Sequence, residues 1–332
     1  MIKENKNEDK RIGYVDIFRG IGIIFMVLGH IGLGKGFHHY IHAFHMPMFF
    51  FIAGFCYKKH TRQIYEYIKS KALSLLLPYT IFGVTQYILW RIYKGNNIAP
   101  LLHLFWINTE GLAIAGALWF LTALFLTDVI FVLIDRYIIS SIIKKIFIFI
   151  LAIMGCALPA FNIRLPLGLD VAMVGLGFFY IGVLLRVNLS NRYINNLVNL
   201  SWWQIILMIT LISVSILMTS PVNLRTGRYG IIPIFWINSM LSIVILINIS
   251  LKLDKCNLHI INNTLKEIGS NGIIYVCLNQ LIITVINEVI KGRIINHILY
   301  YPIIIVSVFV CLQTISKIII NTKLKVFVGK KL

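Results

Sequence analysis

The chain has 332 residues, of which 58% are hydrophobic and only 13% are charged, whereas a soluble domain carries about 25% charged residues. A water-soluble fold could not bury this much apolar surface, so the composition predicts an integral membrane protein and excludes a soluble two-domain protein. The net charge of +19 at pH 7 would indicate nucleic-acid binding in a soluble protein. In a membrane protein, the distribution of lysine and arginine between the loops indicates the topology. We therefore expect no nucleic-acid partner.

Ten apolar segments follow one another along the chain and are joined by short polar connections. A bilayer core of about 30 Å needs roughly 20 apolar helical residues, and only the second segment is short for a full crossing. The segments are 12–34, 44–57, 72–93, 112–134, 142–161, 169–185, 203–220, 230–251, 268–290 and 298–316. They predict an all-α, multi-pass membrane bundle of about ten transmembrane helices. One domain would cover residues 12–320, with short cytoplasmic tails at 1–11 and 321–332.

Lysine and arginine are divided unequally between alternate connections of the predicted bundle. If the N-terminus is cytoplasmic, the inner segments hold 22 of the 31 basic residues and the outer loops hold 8, while Arg19 lies within the first apolar segment. An excess of basic residues marks the cytoplasmic side. We therefore expect a multi-pass protein of the cell membrane with both termini in the cytoplasm, which requires an even number of spans.

The first apolar segment carries three ionisable residues, Asp16, Arg19 and His30. At 100° per residue, Arg19 and His30 lie about 20° apart around a helix, with Asp16 about 60° from Arg19, so the three share one face. Arg19 and His30 are about 16.5 Å apart along the axis, and Asp16 can pair with Arg19 three residues away. Ionisable groups within a membrane are functional candidates. The alternative is that Asp16 and Arg19 reach the headgroups while His30 is a satisfied polar residue.

The outer loop after this segment is rich in histidine. It contains His38, His39, His42 and His45. Histidine is a common metal ligand, but no nearby carboxylate or cysteine completes a ligand set, so we expect no metal. His45 begins a helix that contains Pro47 and Gly54, which favour irregular backbone beside a cavity.

Two segments resemble a known family. Y-V-D-I-F-R-G-I-G-I-I-F-M-V-L-G-H (14–30) and F-H-M-P-M-F-F-F-I-A-G-F (44–55) are similar to the start of the acyltransferase family 3 membrane proteins. The signature of that family is R-x10-H in the first helix, which Arg19 and His30 match. L-L-P-Y (76–79) and L-W-F-L (118–121) are weaker matches, and the second resembles the fucose 4-O-acetylase-like branch.

This resemblance implies a membrane-embedded O-acyltransferase, most simply an O-acetyltransferase. It would move an acyl group from cytosolic acetyl-CoA to a hydroxyl of an extracytoplasmic saccharide or cell-surface glycan. His30 would be the catalytic base, because imidazole titrates near neutral pH. Arg19, also catalytic, would contact the donor with Asp16, while His45 and Trp119 would contact the acceptor. Acetyl-CoA would be a co-substrate, and no metal would take part.

One position departs from the family pattern. Near the C-terminus Asn279 stands where relatives often have a histidine, so we assign no catalytic role to that helix. Two acids within apolar segments, Asp128 and Asp170, are interpreted as partners of arginines elsewhere. Five charged residues near the outer loops are interpreted as solvated charge. They are Arg91, Glu110, Arg164, Arg225 and Arg228.

Two other functions remain open from the sequence. A carrier or exporter of a glycan or lipid-linked sugar would show paired broken helices in matching halves of the chain, and the sequence contains no such repeat. A structural or sensing protein without chemistry is disfavoured by the shared face of Arg19 and His30. No residue identifies the acceptor, the size of the acyl group or the oligomeric state.

Overall fold

The computed structural model describes six stretches of the chain. They are residues 12–59, 63–94, 98–109, 116–189, 196–290 and 297–330. Regular structure in these stretches is helical apart from one isolated β-bridge, which confirms the all-α prediction. The predicted tail 1–11 and Glu110 lie outside the described residues.

The helices follow one another with short connections. In chain order they are α1 (Gly13–Ile31), α2 (Lys35–His42), α3 (His45–Phe55), α4 (Ile64–Lys71), α5 (Leu77–Lys94), α6 (Ala99–Phe105), α7 (Trp119–Tyr137), α8 (Ser141–Ala157), α9 (Leu169–Val187), α10 (Trp202–Leu217), α11 (Ile232–Lys255), α12 (His259–Ser270), α13 (Gly272–Ile290) and α14 (His297–Asn321). A π-helical turn, Ala72–Leu76, joins α4 to α5, so the two form one long helical unit. A 3-10 segment, Lys323–Val328, follows α14.

Seven helical units in the described residues are long and apolar enough to cross a membrane. They are Gly13–Ile31, Ile64–Tyr93, Ser141–Phe161, Pro166–Val187, Ile232–Lys255, Gly272–Ile290 and Leu299–Asn321. They confirm a helical membrane bundle, whereas the count of about ten remains a prediction. Of the other three predicted spans, 203–220 corresponds to α10, which has 16 residues, and 112–134 falls partly outside the described residues.

The predicted span 44–57 corresponds to α3, which has 11 residues. At a rise of 1.5 Å per residue it extends about 16 Å, roughly half the hydrocarbon core. All of its residues except Ala53 are buried. It is therefore an interior helix whose ends lie within the protein, and it does not cross the bilayer alone.

Helix α1 lies at the centre of the bundle and packs against α3, α11, α12 and α13. Two glycines allow its backbone to contact α12 directly. A Cβ atom at Gly20 would lie 2.2 Å from the carbonyl oxygen of Leu265, and one at Gly269 would lie 2.0 Å from that of Asp16. Small residues permit such close helix contact within a membrane.

Helices α3 and α9 make the same kind of contact. A Cβ atom at Gly54 would lie 1.9 Å from the carbonyl oxygen of Phe179, and one at Gly182 would lie 2.1 Å from that of Phe51. These two close crossings hold α1 and α3 against fixed neighbours. The side chains of α1 and α3 therefore have fixed positions in the interior of the bundle.

The C-terminal segment packs on the bundle. Val328 is buried in a cluster with Ile274 and Ile319, and the Lys330 ammonium donates to Asn271 Oδ1 at 2.5 Å. Within the tail predicted at 321–332, residues 323–330 thus contact the helices.

Replacing Gly54 by valine should break the α3–α9 crossing, because the added side chain would overlap the backbone of Phe179. Overpacking of this kind costs about 1–3 kcal/mol or more. We expect a lower thermal midpoint and less monodisperse protein for Gly54→Val in detergent, measured by fluorescence-detected size exclusion after heating. Ala53→Val is the matched control, since Ala53 borders a cavity. Equal stability of the two variants would contradict the crossing.

Candidate functional site

A cavity of about 150 Å³ lies where α1, α2, α3, α7 and α13 meet, and we name it the His30 cavity. Its lining includes seven polar side chains: His30, His38, His42, His45, Asn223, Arg225 and Gln280. No carboxylate from the described part of the chain lines it. The cavity therefore offers hydrogen-bonding groups and one permanent cation, an environment that suits neutral or negatively charged ligand groups.

The imidazoles form a connected row around His42. Its ring stacks on that of His38 with centroids 3.8 Å apart, and it meets the rings of His45 at 4.7 Å and His30 at 6.4 Å. Within the described stretches, no three His, Cys, Asp or Glu side chains are placed to share a metal ion. Burial lowers the pKa of the His38 imidazole, and the neighbouring His39 lowers it further. His38 is therefore biased towards the neutral form.

Gln280 of α13 fixes the orientation of His30. Its Nε2 atom lies 3.1 Å from His30 Nδ1, and its Oε1 atom accepts a hydrogen bond from the backbone N–H of Gly116. A Cβ atom at Gly116 would lie 2.7 Å from Gln280 Oε1, so a larger residue at this position would displace the Gln280 amide. Neither Gln280 nor Gly116 is singled out by the sequence, because Gln280 lies 250 positions from His30 and 164 positions from Gly116. The one feature of the sequence that indicates a role for Gln280 is its polar side chain within an apolar helix.

Asn279, the neighbouring residue, has a different role. It is fully buried, and its Nδ2 atom donates to the carbonyl oxygens of Tyr275 at 2.8 Å and Val276 at 2.9 Å on its own helix. It does not line the His30 cavity. The polar group that α13 contributes to this cavity is Gln280, one position further along.

Arg225 reaches the cavity from the loop between α10 and α11. The loop is closed by paired backbone hydrogen bonds between Asn223 and Arg228 at 2.7 and 3.0 Å, and Leu224 is buried beneath it. Arg225 Nε donates to the Thr109 carbonyl at 3.0 Å. Burial lowers the pKa of the Arg225 guanidinium, although arginine stays charged at neutral pH. The interpretation of Arg225 as solvated loop charge is therefore wrong, because its loop folds inward.

An ion pair supports this loop. Arg164 Nε lies 2.8 Å from Asp170 Oδ2, and both side chains are largely buried. Arg164 also donates to the Arg225 carbonyl at 2.9 Å, so it too differs from the solvated charge expected. The predicted pairing of Asp170 with an arginine is confirmed. Asp128 instead pairs with Lys71 at 2.9 Å.

A second cavity of about 260 Å³ contains Arg19 in its lining, and we name it the Arg19 cavity. The Arg19 guanidinium lies 3.7 Å from Asp16 and 3.3 Å from Cys56 Sγ, and one third of the side chain is exposed. Asp16 is buried and lines neither this cavity nor the His30 cavity. Of the two residues predicted to contact a donor, only Arg19 thus faces open space.

An apolar partition separates the two cavities. Phe49, Phe120 and Val276 line both of them, and the rings of Phe49 and Phe120 lie 5.6 Å apart. The structure brings His30, His45 and Trp119 together in one cavity and places Arg19 in the other. Helix α1 therefore connects the two sides of the partition, with one predicted catalytic residue on each.

The family model described as an acyltransferase domain, that of acyltransferase family 3, matches residues 12–316. No curated protein and no solved structure matches the chain.

Replacing Asp170 by asparagine should loosen the loop that carries Arg225, because Arg164 would lose its charged partner while remaining buried. Breaking a buried pair costs about 3–5 kcal/mol, against about 0–1 kcal/mol for an exposed pair. We expect faster amide hydrogen exchange across residues 222–229 in Asp170→Asn. Asp254→Asn, which breaks the more exposed pair with Lys266, should leave that exchange unchanged. Unaltered exchange in Asp170→Asn would show that the pair does not hold the loop.

Proposed function

Since the chain belongs to acyltransferase family 3 and is an acyltransferase of groups other than amino-acyl groups, we propose that it is a membrane O-acetyltransferase. The donor would be cytosolic acetyl-CoA, and the acceptor would be a hydroxyl of an extracytoplasmic saccharide or cell-surface glycan. One observation carries the proposal: α1 presents Arg19 to one cavity and His30 to another, with an apolar partition between them. The assignment to the fucose 4-O-acetylase-like branch remains a prediction.

The Arg19 cavity suits the donor. From the positive-inside distribution of charge we expect this end of α1 at the cytoplasmic face, and acetyl-CoA is found in the cytoplasm. A guanidinium binds phosphate oxygens in a planar, charge-assisted geometry, and Arg19 keeps one third of its side chain exposed for such contacts. The separation of about 16.5 Å between Arg19 and His30 along the helix is similar to the reach of an extended pantetheine arm.

The His30 cavity suits the acceptor and the reacting atoms. Imidazole and amide groups can bind saccharide hydroxyls, while the buried ring of Trp119 offers an apolar surface to a sugar face. The apolar side chains of Phe49, Phe120 and Val276 would exclude water from the path of the acyl group between the two cavities. Side reactions with water are suppressed in such a closed site.

The chemistry needs a base and a place for negative charge. The acceptor oxygen attacks the thioester carbonyl carbon as an imidazole of the His30 cavity takes the hydroxyl proton. The new C–O bond forms, the C–S bond breaks, and CoA leaves as a thiol when the imidazole returns the proton. The Arg225 cation lies in the same cavity and can stabilise the intermediate oxyanion.

Purified protein in proteoliposomes should release CoA from radiolabelled acetyl-CoA and transfer the label to members of a panel of nitrophenyl hexosides. His30→Ala should lower the rate at least about 10²-fold, because both a proton-transfer group and an oxyanion donor contribute that much or more. The matched control is His259→Ala, because His259 is exposed and lines neither the His30 cavity nor the Arg19 cavity. Hexoside flux without acetyl turnover would instead identify a carrier, and full activity in His30→Ala would remove the catalytic role of His30.

The role of Arg19 is tested by comparing two donors. Arg19→Ala should raise the KM for acetyl-CoA at least tenfold, because the phosphate contact is lost, but should change the KM for S-acetylpantetheine little, because that donor lacks phosphates. Arg91→Ala, at an exposed arginine, should affect neither. An equal loss with both donors would assign Arg19 a purely structural role.

A further inference from the structure

Hydrogen bonds fix where the proton lies on His30. The backbone N–H of Gly116 is only a donor, so the Gln280 atom that faces it must be the amide oxygen. The amide nitrogen then faces His30 Nδ1 at 3.1 Å. Because an amide NH2 group only donates, Nδ1 must accept with its lone pair. A neutral imidazole carries one ring proton, and on His30 that proton is therefore on Nε2.

His45 has the opposite arrangement. Its Nδ1 atom lies 2.8 Å from the carbonyl oxygen of Ile41, at the end of α2. A carbonyl only accepts, so His45 Nδ1 carries the proton and Nε2 keeps its lone pair. The side chain is 3% exposed and lines the His30 cavity. A histidine whose Nδ1–H is anchored in this way presents a fixed basic nitrogen, which is the arrangement of a general base.

We propose that His45 is the general base of the acyl transfer and that His30 is a hydrogen-bond donor to the oxyanion. This rests on the proposed function and reverses the expectation that His30 takes the proton. His45 Nε2 accepts the proton of the acceptor hydroxyl as its oxygen attacks the thioester carbon. His30 Nε2–H and the Arg225 guanidinium stabilise the negative oxygen that forms. When the C–S bond breaks, the proton on His45 passes to the departing sulfur, and both histidines return to their starting forms.

Gln280 is the positioning residue in this arrangement. Its amide holds His30 in the form that donates into the cavity, and Gly116 prevents the amide from turning over. An imidazole in the other form would point a proton at the amide NH2 group and lose the 3.1 Å hydrogen bond. His42 lies between the two histidines, and its Nε2 has no hydrogen-bond partner in the described residues. It is the competing base.

Replacing Gln280 by glutamate distinguishes an oxyanion donor from a general base at His30, because the acetyl-transfer rate should change in opposite directions. A carboxylate accepts from Nδ1–H, so Gln280→Glu should move the proton of His30 from Nε2 to Nδ1. If His30 is the oxyanion donor, the acetyl-transfer rate should fall, and losing one such donor typically costs about 10²- to 10³-fold. If His30 were the base, the same change would complete a carboxylate–histidine pair and maintain or raise the rate, which would overturn the proposal. Gln63→Glu, at an exposed glutamine, is the matched control.

Substitutions that keep an N–H donor but remove basicity provide a second test. Glutamine at position 30 can still donate, so His30→Gln should retain at least ten times the activity of His30→Ala. His45→Gln should lose about 10²- to 10⁴-fold together with the acidic limb of the kcat/KM profile, and that limb should persist in His30→Gln. His42→Gln should lose less than tenfold. Full activity in His45→Gln, or loss of the acidic limb only in His42→Gln, would contradict the assignment to His45.

A measurement that needs no turnover separates this inference from the proposed function. Nitrogen-15 NMR of histidine-labelled protein, with His30→Gln and His45→Gln used for assignment, should show Nε2–H on His30 and Nδ1–H on His45. Gln280→Glu should move the proton of His30 to Nδ1 and leave the proton of His45 in place. If these forms are found in a protein without acetyl transfer, the proposed function fails while the proton positions stand. If His30 carries its proton on Nδ1, the inference fails whatever the activity.

Discussion

Direct backbone contact between helices at glycines is the constraint on which the rest of the structure depends. At Gly20 and Gly269 the backbones of α1 and α12 approach so closely that a methyl group would overlap a carbonyl, and Gly54 and Gly182 do the same for α3 and α9. Lipid tails are as apolar as the side chains, so packing and not hydrophobic burial drives this association. The two crossings fix α1, which carries Arg19 and His30, and α3, which carries His45.

The polar interior is supported from the loops as much as from the helices. Asp170 holds Arg164, which holds the backbone of Arg225, and Arg225 in turn bonds to Thr109. A permanent cation is thereby delivered to a cavity that contains no described carboxylate. Buried charges are costly without partners, so this chain of contacts allows Arg225 to face the cavity. A second chain of hydrogen bonds orients His30. The backbone N–H of Gly116 orients the Gln280 amide, and the amide orients the imidazole.

Several features of the fold and the site were predictable because they depend on local pattern. Long apolar runs are helical in a membrane since every backbone group must be satisfied within the segment, and seven of the ten predicted segments overlap helical units long enough to cross. The interval between Arg19 and His30 places both on one face by helix geometry alone. The segment 44–57 was harder to predict, because its apolar residues suit a buried helix of 11 residues as well as a span.

The sequence by itself therefore determined the membrane class, the family resemblance and the position of Arg19 and His30 on one face of a single helix. These features follow from composition and from spacing within single segments. Only the tertiary structure decided that Arg225 turns inward, that Asp16 is closed off from both cavities, and that Gln280 contacts His30 across 250 positions of the chain. The physical reason is that a hydrogen bond depends on the approach of a donor and an acceptor to about 3 Å. No pattern along one segment specifies that approach when the two groups belong to helices whose crossing is set by packing.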